Sequence, residues 1–294
     1  MNMKHKPGVI LCFILPTLII FGVFLVGPLV PTVIRSFYAY KNMKLGDFVG
    51  IKNYAAVLRD PLFMKGAKNT LKLVVLQLLI GMPLSFLFAV LITIAGSKTR
   101  RFFKTVSFLP SVLSVSAVCM LWYMLIQPDY GPVGYIMRLL GLGDYVKAWL
   151  AIPQTAFNVI SLTFIWQFIG YNMVLFYSGL KAIPTTYFEA ARIDGASLPQ
   201  QVFLITIPLL QDTFKFVLIL MVTGCLSMVA NAQILTRTGL GGAAYTTIFY
   251  IILKAFSSLD FGQGYAATMI YAIGCFAIIQ VVNALVARQR TEYI

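Results

Sequence analysis

Six stretches of this 294-residue chain carry no charged side chain: 7–34, 73–97, 105–128, 148–180, 216–236 and 261–287. Each is long enough to supply the ~20 residues with which an α-helix crosses the hydrocarbon core of a bilayer. They predict an all-α integral membrane protein, one transmembrane domain over residues 1–294, with spans near 9–34, 72–96, 105–127, 156–180, 210–234 and 264–287. Composition agrees. With 60% hydrophobic and 11% charged residues and a mean hydropathy of +0.86, the chain has too few charges to clothe a soluble globule of its size. A seventh apolar stretch, Gly239 to Leu253, is shorter and begins Gly-rich, so it reads as re-entrant or interfacial. Met1 to Lys6 ahead of the first run resemble the start of a signal peptide. The run then continues for 28 residues without a clear small-residue cleavage site, so a retained first helix is expected.

Between the fourth and fifth runs lies a polar island, Glu189-Ala190-Ala191-Arg192-Ile193-Asp194-Gly195, followed by Ile205-Thr206-Ile207-Pro208. A membrane chain seldom keeps such an island without a partner to meet it. Thr186 stands three residues before Glu189, the spacing of a capping box, and Ala190, Ala191 and Arg192 propagate a helix well. Gly195 is the residue expected where the chain turns left-handed to leave that helix. Ser197 and Gln200 repeat the cap spacing, with Pro199 tolerated in the first turn of a second helix. The island predicts helix, glycine turn, helix; an ordinary amphipathic connector is the plainer alternative.

The island resembles the EAA signature of bacterial ABC-importer permeases, in which Glu-Ala-Ala, a Gly and a distant Leu-Pro form a loop that docks on the ATPase. The spacing holds from Glu189 to Pro208, and only the Leu differs, replaced by Ile207. Phe48-Val49-Gly50-Ile51-Lys52-Asn53-Tyr54, Lys68-Asn69-Thr70-Leu71, Arg101-Phe102-Phe103, Phe108-Leu109-Pro110 and Gly179-Leu180 with Ile183-Pro184 extend the similarity over nearly the whole chain. They are similar to carbohydrate-type permeases, in particular the first permease subunit of maltose/glycerol-phosphate systems. Two features depart from that pattern. Thr238-Gly239-Leu240-Gly241-Gly242 stands where Thr-Gly-Gly-Gly-Pro is frequent, and the large extracytoplasmic insertion of the maltose subunit is absent.

The resemblance implies a six-helix permease of the type I importer kind in the bacterial cytoplasmic membrane. A cytoplasmic coupling loop, 184–208, would dock the ATPase through Glu189, Ala190, Ala191, Asp194, Gly195 and Pro208. The implied partners are a second permease in a heterodimer, two ATP-binding subunits and an extracytoplasmic solute-binding protein. The implied function is ATP-driven import of a mono- or oligosaccharide or a polyol. Glycerol-phosphate, a peptide or another polar solute is the alternative within the class, and a stand-alone secondary carrier the alternative outside it.

The residue chemistry excludes several other classes. His5 is the only histidine, no Gly-rich phosphate loop is present, and Asp47, Asp60, Asp129, Asp144, Asp212 and Asp260 are scattered singly. No catalytic residue, metal site or cofactor is expected, so ATP hydrolysis would belong to another polypeptide. No ionisable group lies near the centre of a span, as ion coupling in a carrier would require. Cys12, Cys119, Cys225 and Cys275 fall singly in apolar runs and read as core packing residues. The net charge of +14 is dispersed over several loops, which points to the headgroups of the lipid bilayer rather than to nucleic acid. Asp212 and Lys215, one helical turn apart, are expected to pair with each other, with a gating role as the alternative.

A solute path is expected where Trp166, Gln167, Tyr171 and Asn172 interrupt the apolar fourth span, with Gly170 beside them permitting a bend. Ser227, Asn231 and Gln233 offer polar groups on the fifth span. Aromatic stacking with amide hydrogen bonds suits a neutral polyhydroxylated ligand, while interhelical packing is the alternative role for such residues. By the resemblance, Trp166 and Tyr171 fall on an aromatic pair of the maltose-type site, whereas its paired asparagines map onto Cys225 and Met228.

The compact basic cluster Lys98, Arg100, Arg101 and Lys104 marks the loop between spans two and three as cytoplasmic. Both termini, with Lys4, Lys6, Arg288 and Arg290, and the Glu189 island then share that side. The 36–72 segment, with Lys41, Lys44, Lys52, Arg59, Lys65, Lys68 and Lys72, lies opposite, but the positive-inside rule weights short loops most heavily. Ser97→Cys and Ser197→Cys, in a background without the native thiols, should therefore resist a membrane-impermeant thiol reagent in intact cells and react in inverted vesicles. Labelling of either from outside would reverse the orientation.

Overall fold

The computed structural model describes residues 7–41, 43–236 and 240–287. Thr238 and Gly239, and the termini with Lys4, His5, Lys6, Arg288 and Arg290, lie outside the described residues. Among those described, four helices are each long and apolar enough to cross a membrane: α1 (Leu11–Arg35), α3 (Pro61–Ile94), α7 (Pro153–Ala182) and α13 (Phe261–Ala287). Two bent pairs raise the number to six if each is one span. They are α4 (Ser97–Val112) with α5 (Val115–Leu125), at 103°, and α9 (Leu198–Leu209) with α10 (Gln211–Leu226), at 74°. Shorter helices are α2 (Lys52–Arg59), α6 (Pro132–Leu139), α8 (Thr185–Ile193), α11 (Ala230–Thr236) and α12 (Thr247–Ser257).

The chain divides into two compact units, one formed by the residues up to Phe63 with Tyr250–Gly274, the other by Met64–Phe249 with the residues from Cys275 on. In the first, α1 buries none of its apolar window, so Cys12 is exposed on it and is not the core residue expected from the sequence. Its apolar run matches a lipid surrounding, not a protein core. A bulged antiparallel hairpin, β1 (Tyr38–Lys41) and β2 (Lys44–Phe48), follows. The Val49-Gly50-x-x-Asn53-Tyr54 element then folds back on it. Gly50 sits at φ +57, and the Asn53 amide donates to the carbonyls of Ser36 and Tyr38, both at 2.9 Å. Tyr54 Oη lies 2.6 Å from Ser36 Oγ.

Asp60, at the start of α3, accepts from the Leu62 N–H at 2.9 Å and from Tyr250 Oη at 2.8 Å, and it pairs with Lys254 Nζ at 3.1 Å. Burial pushes its carboxyl upward, but these donors together outweigh it and hold the group below the usual 3.8. Tyr250 is fully buried against Phe63 and belongs to a small core with Val57, Ala266 and Ala267.

In the second unit α7 is the spine, packed by α3, α4 and α10. Its core gathers Ala89, Ile92, Met173, Phe176, Val217 and Met221, with the rings of Phe86, Phe176 and Phe214 4.8 to 5.5 Å apart. Two expectations are corrected here. The basic cluster is not a loop: only Ala95 and Gly96 separate α3 from α4, and Lys98 to Lys104 are helical. The Arg100 guanidinium folds back to donate to the carbonyls of Ile92, Thr93 and Ala95 at 2.8 to 3.3 Å, which satisfies the free end of α3. Nor does Gly170 permit a bend, because α7 runs through it as one helix. A Cβ there would overlap the carbonyl of Ser107, so the glycine lets the backbone of α4 cross in contact.

The expected third and fifth spans are interrupted. α4 gives way to α5 at Leu113 and Ser114, whose Oγ accepts from the Ala117 N–H at 3.2 Å. α10 stops at Leu226 and α11 begins at Ala230. Beyond α11 the described residues 240–246 are non-helical, with positive φ at Leu240, Gly241 and Gly242, yet Ala243 to Thr247 are buried. Asn69 Nδ2 donates to the carbonyls of Ala243 (3.0 Å) and Tyr245 (2.8 Å), and Thr70 Oγ1 accepts the Thr247 N–H at 3.1 Å. Irregular backbone enclosed by protein in this way suits a re-entrant segment better than an interfacial one. Asp212 and Lys215 do pair, at 3.4 Å, and with the Asp212 carboxylate fully exposed the pair contributes little.

The Gly170 contact generates a stability test. Gly170→Ala should destabilise the purified protein by an amount at or beyond the upper end of the ~1–3 kcal/mol typical of overpacking, read as a fall in its melting temperature. An unchanged melting temperature would refute the close crossing.

Candidate docking loop and solute path

The polar island folds as helix, turn, helix, with one detail different from expectation. α8 starts at Thr185, so the N-cap position falls on Pro184 and Thr186 lies inside the first turn. The Thr186–Glu189 capping box is therefore not formed. Glu189 is exposed and makes no hydrogen bond or ion pair among the described residues. At the other end, the Ala196 N–H bonds the Ala191 carbonyl at 2.8 Å and the Gly195 N–H bonds that of Arg192 at 3.1 Å, a Schellman closure. It needs φ +77 at Gly195, where a Cβ would meet nothing within 4 Å, so the requirement is conformational rather than steric. The Ser197–Gln200 capping box is present, with the Ser197 N–H on Gln200 Oε1 at 2.7 Å.

Pro208 explains the rest of α9. Having no N–H, it cannot continue the helical ladder, and the chain widens into a π-helical turn over Val202–Thr206 before bending into α10. Phe188 and Ala191 turn inward on α8, whereas Tyr187, Ala190 and Ile193 turn outward, and Ile193 is 87% exposed between Arg192 and Asp194. Leu198, Phe203 and Leu204 are exposed on α9 as well. Glu189, Asp194 and Gly195 are thus surface groups set among large unpartnered apolar side chains, and such a surface marks an interaction site. Ile193 and Tyr187 escaped the sequence reading. The spacing of Tyr187, Ala190 and Ile193, one face of a helix, was the available signal.

The second site lies where α5, α7 and α11 pack on one another. Trp166 stands edge-on to Trp122 of α5 at 5.7 Å. Gln167, 1% exposed, donates through Nε2 to the Leu113 carbonyl at the α4–α5 break, at a weak 3.5 Å. Its Oε1, Trp122 Nε1 and Asn231 Nδ2 are all buried without a hydrogen-bond partner. Native proteins rarely leave such groups unpaired, so three on three mutually packed helices call for a ligand or water. Trp122 was missed because a single indole in an apolar run has no sequence signal. A fourth unpaired atom, Gln77 Oε1, sits apart on a π-helical turn of α3 that packs against α7 and α10.

Trp122 and Trp166 are joined by their ring contact; Gln167 and Asn231 share the same packed helices, and no hydrogen bond or ring contact among the described residues joins the remaining candidates to any of the four. Tyr171 is exposed, Asn172 is buried, and Gln233 is half-buried. Ser227 is exposed and satisfies its hydroxyl on the Thr223 carbonyl at 2.9 Å. Cys225 and Met228 are buried packing residues. A cavity of about 530 Å³ opens between α5, α11 and residues 148–151, lined by Cys119, Tyr123, Gln127, Trp149 and Thr236. It thus adjoins the two helices that carry Trp122 and Asn231.

Against known proteins, residues 73–291 match the family model described as binding-protein-dependent transport system inner membrane component. A probable ABC transporter permease protein of Pyrococcus horikoshii is 29% identical over 94% of this chain and 96% of its own length. The lactose transport system permease protein of Rhizobium radiobacter is 28% identical, covering 95% of this chain and 93% of its own. The fold is that of a chain in the crystal structure of a bacterial ABC transporter involved in import of the acidic polysaccharide alginate. That chain has a TM-score of 0.85 at 23% identity, with 96% of each chain covered.

Because Gln167 carries an unpaired buried oxygen, Gln167→Met should leave thermal stability unchanged or raise it by up to about 1 kcal/mol, since removal of an unsatisfied amide relieves a desolvation penalty. If Gln167 were packing glue instead, the melting temperature would fall.

Proposed function

The chain belongs to the family of binding-protein-dependent transport system inner membrane components, and from that premise we propose that it is the translocating subunit of an ATP-driven importer for a neutral sugar or polyol. The unpaired buried atoms Trp122 Nε1, Gln167 Oε1 and Asn231 Nδ2 carry the reading. They combine donors and an acceptor beside aromatic surface, which hydroxyl groups can meet in both senses. No Lys or Arg stands on α5, on residues 153–180 of α7 or on α11, which disfavours an anionic solute such as glycerol-phosphate; Lys72 of α3 reaches α7 but donates there to Asn158 Oδ1 at 2.6 Å. The lactose permease among its relatives supports a carbohydrate cargo.

In this reading residues 1–294 form one transmembrane domain that pairs with a second permease in the cytoplasmic membrane. Both termini and the 184–208 loop face the cytoplasm. Two ATP-binding subunits supply hydrolysis, and an extracytoplasmic binding protein delivers the solute. The ATPase engages Glu189, Ala190, Ala191, Asp194, Gly195 and Pro208, with Ile193 as the apolar anchor at the tip. Trp166, Gln167 and Asn231 line the path with Trp122, while Tyr171, Asn172, Ser227 and Gln233 border it further along.

Solute contacts of this kind are each worth about 1 kcal/mol, so Gln167→Met and Asn231→Leu should each slow uptake of labelled oligosaccharide by roughly fivefold or more in reconstituted complex. Ile193→Asp should release the ATPase subunits during copurification. Gly195→Val, straining an αL position by about 1–2 kcal/mol, should abolish transport while the chain still inserts. Undiminished uptake by the Gln167 and Asn231 variants would remove these residues from the path, and full uptake by Gly195→Val would overturn the docking loop.

A further inference from the structure

Beside the crossing of α4 and α7 lies a groove of about 310 Å³, lined by Lys104, Thr105, Phe108, Leu109 and Val112 of α4 and by Val174 of α7. Gly170, Val174, Tyr177 and Lys181 follow one another at helical spacing along a single face of α7. The glycine end of that face sets the tight crossing, and the other end carries charge. Lys104 Nζ stands 5.1 Å from the centre of the Tyr177 ring and Lys181 Nζ 6.0 Å from it. The ion pairs among the described residues are Lys215–Asp212 and Lys254–Asp60, so neither of these two cations has a carboxylate.

Two ammonium groups therefore converge on one ring without a counter-ion, at the head of a groove whose walls are otherwise almost wholly apolar. The ring attracts each ammonium but leaves N–H donors of each free to point elsewhere. Leu109, 56% exposed, and the more exposed Val112 open the groove to the surface of a chain whose long apolar helices are of membrane-crossing length.

We propose that this groove is a binding site for an anionic phospholipid. The phosphate meets Lys104 and Lys181 above Tyr177, and an acyl chain lies among Phe108, Leu109, Val112 and Val174. Inorganic phosphate would engage the cations but leave the apolar walls bare. A zwitterionic lipid would fill the groove but bring a third positive charge to the two lysines. An anionic amphiphile alone matches both halves.

Native mass spectrometry of the purified complex, exchanged into mixed phosphatidylglycerol and phosphatidylcholine, tests the site. Wild type should retain phosphatidylglycerol preferentially, and Lys104→Gln and Lys181→Gln should each weaken that retention about fivefold, the effect of removing one lysine charge near an anionic headgroup. The double Arg variant, Lys104→Arg with Lys181→Arg, should keep the preference, and Val174→Trp should reduce retention of both lipids by filling the groove. Equal retention of the two lipids by wild type would overturn the proposal. So would an unchanged preference in the double Gln variant, displacement of the lipid by millimolar inorganic phosphate, or cross-linking of Leu109→Cys to a neighbouring protein chain, which would mean that protein covers the groove.

Discussion

Backbone groups that leave a helix in hydrocarbon have no water to turn to, and an unpaired one costs several kcal/mol. Several interruptions among the described residues answer to that constraint. Arg100 reaches back to three carbonyls where α3 ends, and Ser114 caps α5 where the chain turns by 103°. The buried non-helical residues before α12 are held by Asn69 and Thr70, while Thr246 Oγ1 satisfies the Met228 carbonyl between α10 and α11 at 2.9 Å. Asn53 does the same for the carbonyls entering the hairpin. Short polar side chains thus let the chain leave the helical ladder without exposing its backbone to lipid.

The same medium removes the hydrophobic drive between helices, so close packing must hold them together. Gly170 gives α4 access to the backbone of α7, and a Cβ on Gly179 would press against Thr213 Oγ1 of α10 at 2.5 Å. Asp60 is the electrostatic counterpart, closing Tyr250 and Lys254 onto the start of α3 with all of its strong donors accounted for.

Besides Gln77 Oε1, the buried side-chain atoms left unpaired among the described residues are those of Trp122, Gln167 and Asn231, and two lysines stand on Tyr177 without a carboxylate. The first set lies inside the helices, buried donors and an acceptor that a ligand or water would satisfy. The second lies at the head of an open, mostly apolar groove, and in our proposal an anion with an apolar tail completes it. The 184–208 loop has a third kind of incompleteness, since Ile193 is 87% exposed and Leu198, Phe203 and Leu204 are exposed as well.

Much was legible in the sequence where chemistry is local. Hydropathy alone marked the long helices, because crossing hydrocarbon sets a minimum apolar length. Gly195, Ser197 and Gln200 could be read because a left-handed turn and a capping box are decided within a few residues. What local spacing could not carry was decided by partners distant in the chain. Gly170 looks like a hinge until Ser107 is seen against it, Lys98 to Lys104 look like a loop until Arg100 is seen capping α3, and Asn69 shows no role until residue 243 comes beside it. Trp166, Gln167 and Asn231 could be named as polar residues in apolar runs. That Trp122 joins them, that Ser227 is satisfied by its own helix and that Tyr171 is exposed follow only from the packing of α5, α7 and α11, because whether a polar atom has a partner is a property of the assembled fold.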